Sequence, residues 1–261
     1  MPRLTRIAAT LLACALILPV AACAGKKPTS DTEYVARDVN TLYALAKNRM
    51  DQRRYEEAAK LFDEVERQHP YSVWARRAQM MSAFAYYLAE KYPEAVSSAR
   101  RFLTIHPGNR EAPYAHYLIA MSFYQQMEDV TRDQRITQQA ADAFGELIRR
   151  YPESRYAADG RLKLDLINDH LAGKEMEIGR YYQRAGNWLA ATNRFRVVVD
   201  KYQTSSHAPE ALERLVECYL ALGIPREARK AAVVLGANYP GSIWYHRAYR
   251  LIYFKEKQPK S

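Results

Sequence analysis

From Tyr55 onward, apolar and small residues recur at spacings of four and seven, and after a break the same pattern begins again. Five segments carry it, each anchored on an alanine: Tyr55-Glu56-Glu57-Ala58, Tyr92-Pro93-Glu94-Ala95, Thr137-Gln138-Gln139-Ala140, Trp188-Leu189-Ala190-Ala191 and Pro225-Arg226-Glu227-Ala228. Four positions on stand Phe62, Ala99, Phe144, Phe195 and Ala232; seven on stand Val65, Phe102, Leu147, Val198 and Leu235. These spacings put the side chains on one face of a helix.

Each segment then meets His69-Pro70, His106-Pro107, Tyr151-Pro152, Tyr202-Gln203 or Tyr239-Pro240. Proline lacks the amide donor a helix interior needs and pushes the residue before it out of the α region, so the helix stops there. Ser72, Asn109, Ser154, Ser205 and Ser242 follow two positions later, each able to cap the next helix. Small residues come next, at Ala75, Ala112, Ala157 and Ala208, then at Ala78, Ala115, Gly160, Ala211 and Ala248, and they permit close helix approach. Helix, turn and capped helix at a period of about 34 is the tetratricopeptide pattern. The expected fold is all-α, a tetratricopeptide-repeat superhelix of five helix-turn-helix units over residues 32–256.

The turn positions lie 37, 45, 51 and 37 residues apart, and the register returns after each excess, which places two insertions inside units. The first, of about eight residues, is assigned to a loop from Gln126 to Thr137; the second, of about fourteen or close to four helical turns, to one long helix from Tyr156 to Arg184. Tyr34 to Met50 supplies an opening helix capped by Asp31 or Thr32, and Tyr245 to Phe254 closes the array.

The first 25 residues break this pattern. Arg3 and Arg6 precede an apolar run from Ile7 to Leu18, then Pro19 and small residues, as in a secretory signal. The uncharged stretch Ile7 to Gly25 is 19 residues, long enough for an anchor helix by length alone. Val20-Ala21-Ala22-Cys23 resembles a bacterial lipoprotein box, which implies removal of residues 1–22 and diacylglycerol and N-acyl (palmitate) modification of Cys23. Several fatty chains anchor firmly where one is marginal. Ala24 in place of an aspartate implies the outer membrane, facing the periplasm, with residues 23–31 as a flexible tether. Cys218 is then alone and reads as a small buried hydrophobe.

Composition agrees with a folded soluble body: 48% hydrophobic and 26% charged residues exclude a disordered chain and a multi-span membrane protein. Ten glycines against 20 tyrosines disfavour phosphate loops and turn-rich β architectures. The net charge of +10 is uneven: residues 146–261 hold 20 basic and 13 acidic side chains, residues 23–145 hold 17 and 16. With no long run of like charge, this favours an acidic protein partner for the C-terminal half over nucleic acid, or a solvated basic surface.

No phosphate-loop, nucleophile-elbow, H-E-x-x-H or C-x-x-C motif occurs, and no catalytic residue, cofactor or metal site is expected. His69 and His106 share the repeat position of Tyr151, Tyr202 and Tyr239 and read as packing residues at helix ends. Glu175 and Glu177 point to different sides of a helix and are expected to meet Arg180 or Arg184 in salt bridges. Phe62, Phe144 and Phe195 are core by periodicity. Tyr71, Trp74, Phe84, Tyr86, Tyr87, Tyr114 and Tyr117 crowd the early units, where adjacent residues cannot all point inward. Of these, Tyr71, Trp74, Phe84, Tyr87 and Tyr117 are the candidate lining of a substrate-peptide groove.

The lipoprotein box, five repeats, both insertions and the strings His69-Pro70-Tyr71-Ser72, Ala83-Phe84-Ala85-Tyr86-Tyr87, Arg149-Arg150-Tyr151-Pro152, Asp169-His170-Leu171-Ala172 and Asn193-Arg194-Phe195 together resemble the BamD family of outer membrane protein assembly factors. The resemblance covers essentially all of the chain after the signal. It implies a non-enzymatic lipoprotein of the BAM complex, which folds and inserts β-barrel proteins into the outer membrane. It further implies that the early units bind the C-terminal targeting strand of unfolded barrels and the late units dock on a POTRA domain of BamA, beside other BAM lipoproteins. Arg194 and Asn193 match the pair through which the BamA contact is expected. Two other readings stay open: a different lipidated tetratricopeptide scaffold that coordinates peptidoglycan synthesis, and a lytic transglycosylase using Glu175, for which no catalytic domain is left over.

Overall fold

The computed structural model describes residues 37–257, and among these it contains eleven helices and no strand. They are α1 Val39–Asp51, α2 Tyr55–Gln68, α3 Val73–Leu88, α4 Tyr92–Ile105, α5 Ala112–Tyr124, α6 Arg135–Arg150, α7 Arg155–Arg184, α8 Trp188–Lys201, α9 Ala208–Ala221, α10 Pro225–Asn238 and α11 Ile243–Lys257. The signal, Cys23, the tether and the Asp31 or Thr32 cap lie outside the described residues.

The even-numbered helices carry the repeat. All of their predicted inward positions except Ala232 are fully buried, with Phe62, Phe102, Phe144 and Phe195 among the largest buried side chains. Each such ring contributes roughly 1.5–3 kcal/mol by leaving water. Ala232 is only partly covered because α10 is the last even helix and has no successor. Each even helix ends the same way: the amide N–H of His69, His106, Tyr151, Tyr202 and Tyr239 donates to the carbonyl four residues back. Their own carbonyls accept the N–H of Ser72, Asn109, Ser154, Ser205 and Ser242, at 3.0 to 3.1 Å, which closes the turn.

Only three of those five residues cap through their side chains. The hydroxyls of Ser72, Ser154 and Ser242 accept from Ala75, Ala157 and Tyr245. Asn109 instead accepts the N–H of Glu111, and Ser205 is buried with its hydroxyl unbonded. The reason is Pro113 and Pro209 in the first turns of α5 and α9, which begin those helices later and remove one of the donors a cap would satisfy.

Other boundaries shift in similar ways. α1 starts at Val39, directly after Asp38, and not near Tyr34; Arg37 and Asp38 are not helical. The first insertion is the loop 125–134, since Arg135 to Thr137 already belong to α6. The second is α7, 30 residues long, against 16 in α3. The closing helix extends one residue pair earlier than Tyr245 and on to Lys257.

Successive helices pack on one another, and the odd-numbered helices also touch across units: α1 with α3, α3 with α5, α5 with α7, and α9 with α11. Between α7 and α9 side chains reach across instead. Arg180 donates to both carboxylate oxygens of Glu210 (3.0 and 2.7 Å), Gln183 to Glu217 (2.5 Å), and Ser206 N–H to Asp169 (2.7 Å). No described helix is long and apolar enough to cross a membrane.

Candidate partner-binding surfaces

Three odd-numbered helices bring a set of rings together. Phe84 on α3 lies 6.3 Å from Tyr114 on α5, and Tyr114 and Tyr117 lie 5.3 and 5.2 Å from Tyr156 at the start of α7. Tyr87, one turn beyond Phe84, meets Tyr92 edge-on at 5.9 Å and accepts a hydrogen bond from Gln125. All of these rings are half-buried. Two further hydroxyls are hydrogen-bonded, that of Tyr156 to Arg155 and that of Tyr117 to Asp159. Tyr117 donates to Asp159 at 2.7 Å, and burial together with that carboxylate pushes its phenol well above the usual range. Burial pushes Tyr114 up to about 12. Arg155 stacks over Tyr156 at 4.7 Å.

Of the five groove candidates, Phe84, Tyr87 and Tyr117 belong to this row. Trp74 belongs elsewhere: it lies 4.6 Å from Tyr43 in a cleft between α1 and α3 that Phe62 floors. Tyr71 is fully exposed on the turn before α3, near Ile105 and His106. Tyr114 and Tyr156, which complete the row, were not on the sequence-derived lining; Tyr156 opens a helix in the next unit, and only the packing of α5 against α7 joins it to the others.

In the late units, Asn193 is exposed on α8 and Arg194 is half-buried. Arg194 donates to Glu175 on α7, whereas Glu177 binds Arg180 at 2.6 Å. The expectation that Glu175 meets Arg180 or Arg184 is thus corrected: a glutamate at that position of α7 faces α8, across the helix pair. Cys218 is fully buried and its thiol is pushed up to about 11 by burial, as a packing residue should be.

A charged cleft of about 910 Å³ opens between α9 and α11. Its floor holds Glu213, 2% exposed, whose Oε2 makes no hydrogen bond; Arg214 Nε is 3.8 Å away. Burial first, and then neighbouring Glu217, raises the Glu213 carboxyl to about 7. The sequence hid this because Glu210, Glu213, Arg214 and Glu217 read as an ordinary solvated helix face.

A family model described as outer membrane lipoprotein, YfiO, matches residues 35–234. Curated relatives agree over nearly the whole of this chain. The outer membrane protein assembly factor BamD of Caulobacter vibrioides is 48% identical over 95% of this chain and 81% of its own. That of Rickettsia prowazekii is 43% identical over 96% and 98%. The chain belongs to the BamD family. A more distant member of the family, from Neisseria meningitidis, is 31% identical over 92% of this chain and 94% of its own. Among solved structures, a thermophilic tetratricopeptide protein of Thermus thermophilus aligns with 83% of this chain and all of its own at TM-score 0.37 and 17% identity.

Proposed function

We propose that this chain is a lipoprotein component of the BAM complex, anchored in the outer membrane through Cys23 and facing the periplasm, that binds unfolded β-barrel proteins and BamA and assists barrel insertion. Family membership supports the assembly role, since the relatives are named outer membrane protein assembly factors. The observation that carries the substrate reading is the row Phe84, Tyr114, Tyr117 and Tyr156: half-buried rings packed on one another, with the Tyr117 and Tyr156 hydroxyls hydrogen-bonded, offer apolar surface to an extended chain at little entropic cost. The basic excess of residues 146–261 suits a more acidic partner, and the BamA POTRA contact is assigned to Asn193 and Arg194. Tethering by Cys23 raises the local concentration of bound substrate beside the insertion machinery without any new contact.

The test is recovery of BamA from detergent-solubilised envelopes with wild type and Arg194→Glu. Loss of BamA in the variant alone is expected. Equal recovery would remove Arg194 from the interface, and no BamA in either sample would sink the proposed role. Substrate binding is read separately, as polarisation of a labelled peptide copying a barrel's C-terminal strand, which Tyr114→Ala with Tyr117→Ala should weaken.

A further inference from the structure

Helices α8 and α9 form a groove, and α10 closes it. Leu212, Leu215 and Val216 of α9 are 4%, 3% and 0% exposed, in one buried cluster with Ala228, Ala231 and Leu235 of α10. Thirty-seven residues on, the same repeat positions hold Tyr249, Ile252 and Tyr253 of α11, and no described helix follows to cover them. Tyr249 and Tyr253 are 57% and 41% exposed and stack at 6.1 Å. With Val233 and Gly236 of α10 they line an open groove of about 570 Å³.

The residues at this end are themselves unusual for the repeat. Where Val233 stands, 70% exposed, the earlier units carry Asp63, Arg100, Gly145 and Arg196. Where Tyr245 stands they carry Ala75, Ala112, Ala157 and Ala208, and its ring is received by Gly236, at which a Cβ would come within 2.8 Å of it. The terminal unit of a solenoid needs a polar outer face to stay soluble. Here a valine and two tyrosines are exposed side by side instead, an apolar wall of the kind that marks a contact surface.

We infer that the groove between α10 and α11 seats an amphipathic helix of a partner protein, acidic along its flank beside α10. The fold itself sets the shape of the occupant. The equivalent groove between α8 and α9 takes a helix, and the stripe that fills it, Ala228, Ala231 and Leu235, runs at helical spacing with small residues at the close approach. Charge sets the rest. Arg229 lines the groove, and Arg226 lies one turn before it on the same face of α10. In all, α10 holds Arg226, Arg229 and Lys230 against Glu227 alone, and no acid occurs from 239 to 253. A second copy of the chain would bring the same excess of cations to the contact and is opposed by like charge. None of these residues belongs to the aromatic row or to the Asn193 and Arg194 pair, so the inference holds or fails independently of both.

The experiment uses the full chain in detergent and a fluorescein-labelled helix of about 15 residues, stapled because so short a helix frays alone. It carries alanine, alanine and leucine at the spacing of Ala228, Ala231 and Leu235 and glutamates on its other faces; a twin has lysines for the glutamates. Polarisation is expected to show the glutamate helix binding roughly tenfold tighter than the twin. Val233→Asp with Tyr249→Gln, which installs Asp63 and Gln79 of the first unit at exposed positions, should weaken it by roughly tenfold or more with Tm unchanged. Val233→Asp alone carries the test if the double variant does not fold, and Arg194→Glu should leave the affinity as it is. In cells, benzoylphenylalanine in place of Val233 should cross-link to an acidic amphipathic segment of another protein. The inference is overturned by equal affinity of the two helices, by unweakened binding to the variants, or by cross-linking that yields no adduct, lipid alone or a second copy of the chain.

Discussion

Arg194 on α8 places Nη1 3.1 Å from Oε2 of Glu175 on α7, with both side chains partly exposed. The residue assigned to a partner is therefore already engaged within its own chain. An ion pair this accessible is worth about 0–1 kcal/mol, so its loss alone should lower Tm by only a few degrees. Exchanging the two, Arg194→Glu with Glu175→Arg, restores the internal pair. Thermal melts of the exchanged protein should return towards wild type while BamA recovery stays low. Recovery that returns with Tm would show that Arg194 serves only to hold α7 against α8.

Gly179 and Phe195 make a second prediction. A Cβ on Gly179 would fall within 3 Å of the Phe195 ring, which is itself fully buried, leaving neither partner room to shift. Gly179→Ala should cost about 1–3 kcal/mol despite alanine's better helix propensity, measured by urea denaturation. A neutral or stabilising result would mean that α8 can slide away from α7.

Stability should also depend on Glu213. Its folded carboxyl holds a proton up to about 7, well above an unconstrained glutamate at 4.5. Ionisation therefore favours the unfolded chain, and stability falls as pH rises from about 4.5 through 7, by on the order of 3 kcal/mol in total. Glu213→Gln should flatten that slope and raise Tm at pH 8 more than at pH 5. Parallel pH profiles for the two proteins would remove the residue from this account.

Tyr117→Phe removes the hydroxyl that holds Asp159, leaving Lys163 as that carboxylate's remaining partner at 3.1 Å. A cost of about 1 kcal/mol is expected at neutral pH. The Asp159 carboxyl, held low first by Tyr117, should titrate higher in the variant. Its contribution to stability is present above the unfolded value and lost as pH falls through the folded one, so acid unfolding should begin at higher pH in the variant. Unchanged Asp159 titration by NMR would refute the argument.

The turns that join odd to even helices offer a stabilising test. Arg53 and Glu90 adopt φ near +60°, where the corresponding turns after α7 and α9 carry Gly186 and Gly223. Glu90→Gly should relieve about 1 kcal/mol of backbone strain, seen as a higher midpoint in urea. A lower midpoint would show that the unfolded state's gain in freedom outweighs it.

Helices with a buried stripe were legible because burial and periodicity are one fact: Ala140, Phe144 and Leu147 cannot share a face unless the segment is helical. Proline turns were legible for an equally local reason. Contacts between helices were not. Nothing in the order of residues says that Glu175 faces Arg194 and not Arg180, because the choice depends on the rotation of α7 against α8. Tyr71 and Trp74 looked like neighbours of Phe84 in the chain, yet the turn before α3 and the α1 side of that helix lead them away from the row.

The length of α7 sets a rule for changing it. Its roughly fourteen extra residues amount to nearly four whole turns, so the helix leaves the insertion facing almost the way it entered. Removing seven residues, close to two turns, shortens the helix by about 10 Å and keeps Phe195, Leu212 and their neighbours in phase with what they bury. Removing two swings everything after the cut through about 200° and turns the apolar stripe outward. Length in this chain is thus adjustable only in steps, and the spacing between its early and late units can take a few discrete values while the values between them are closed.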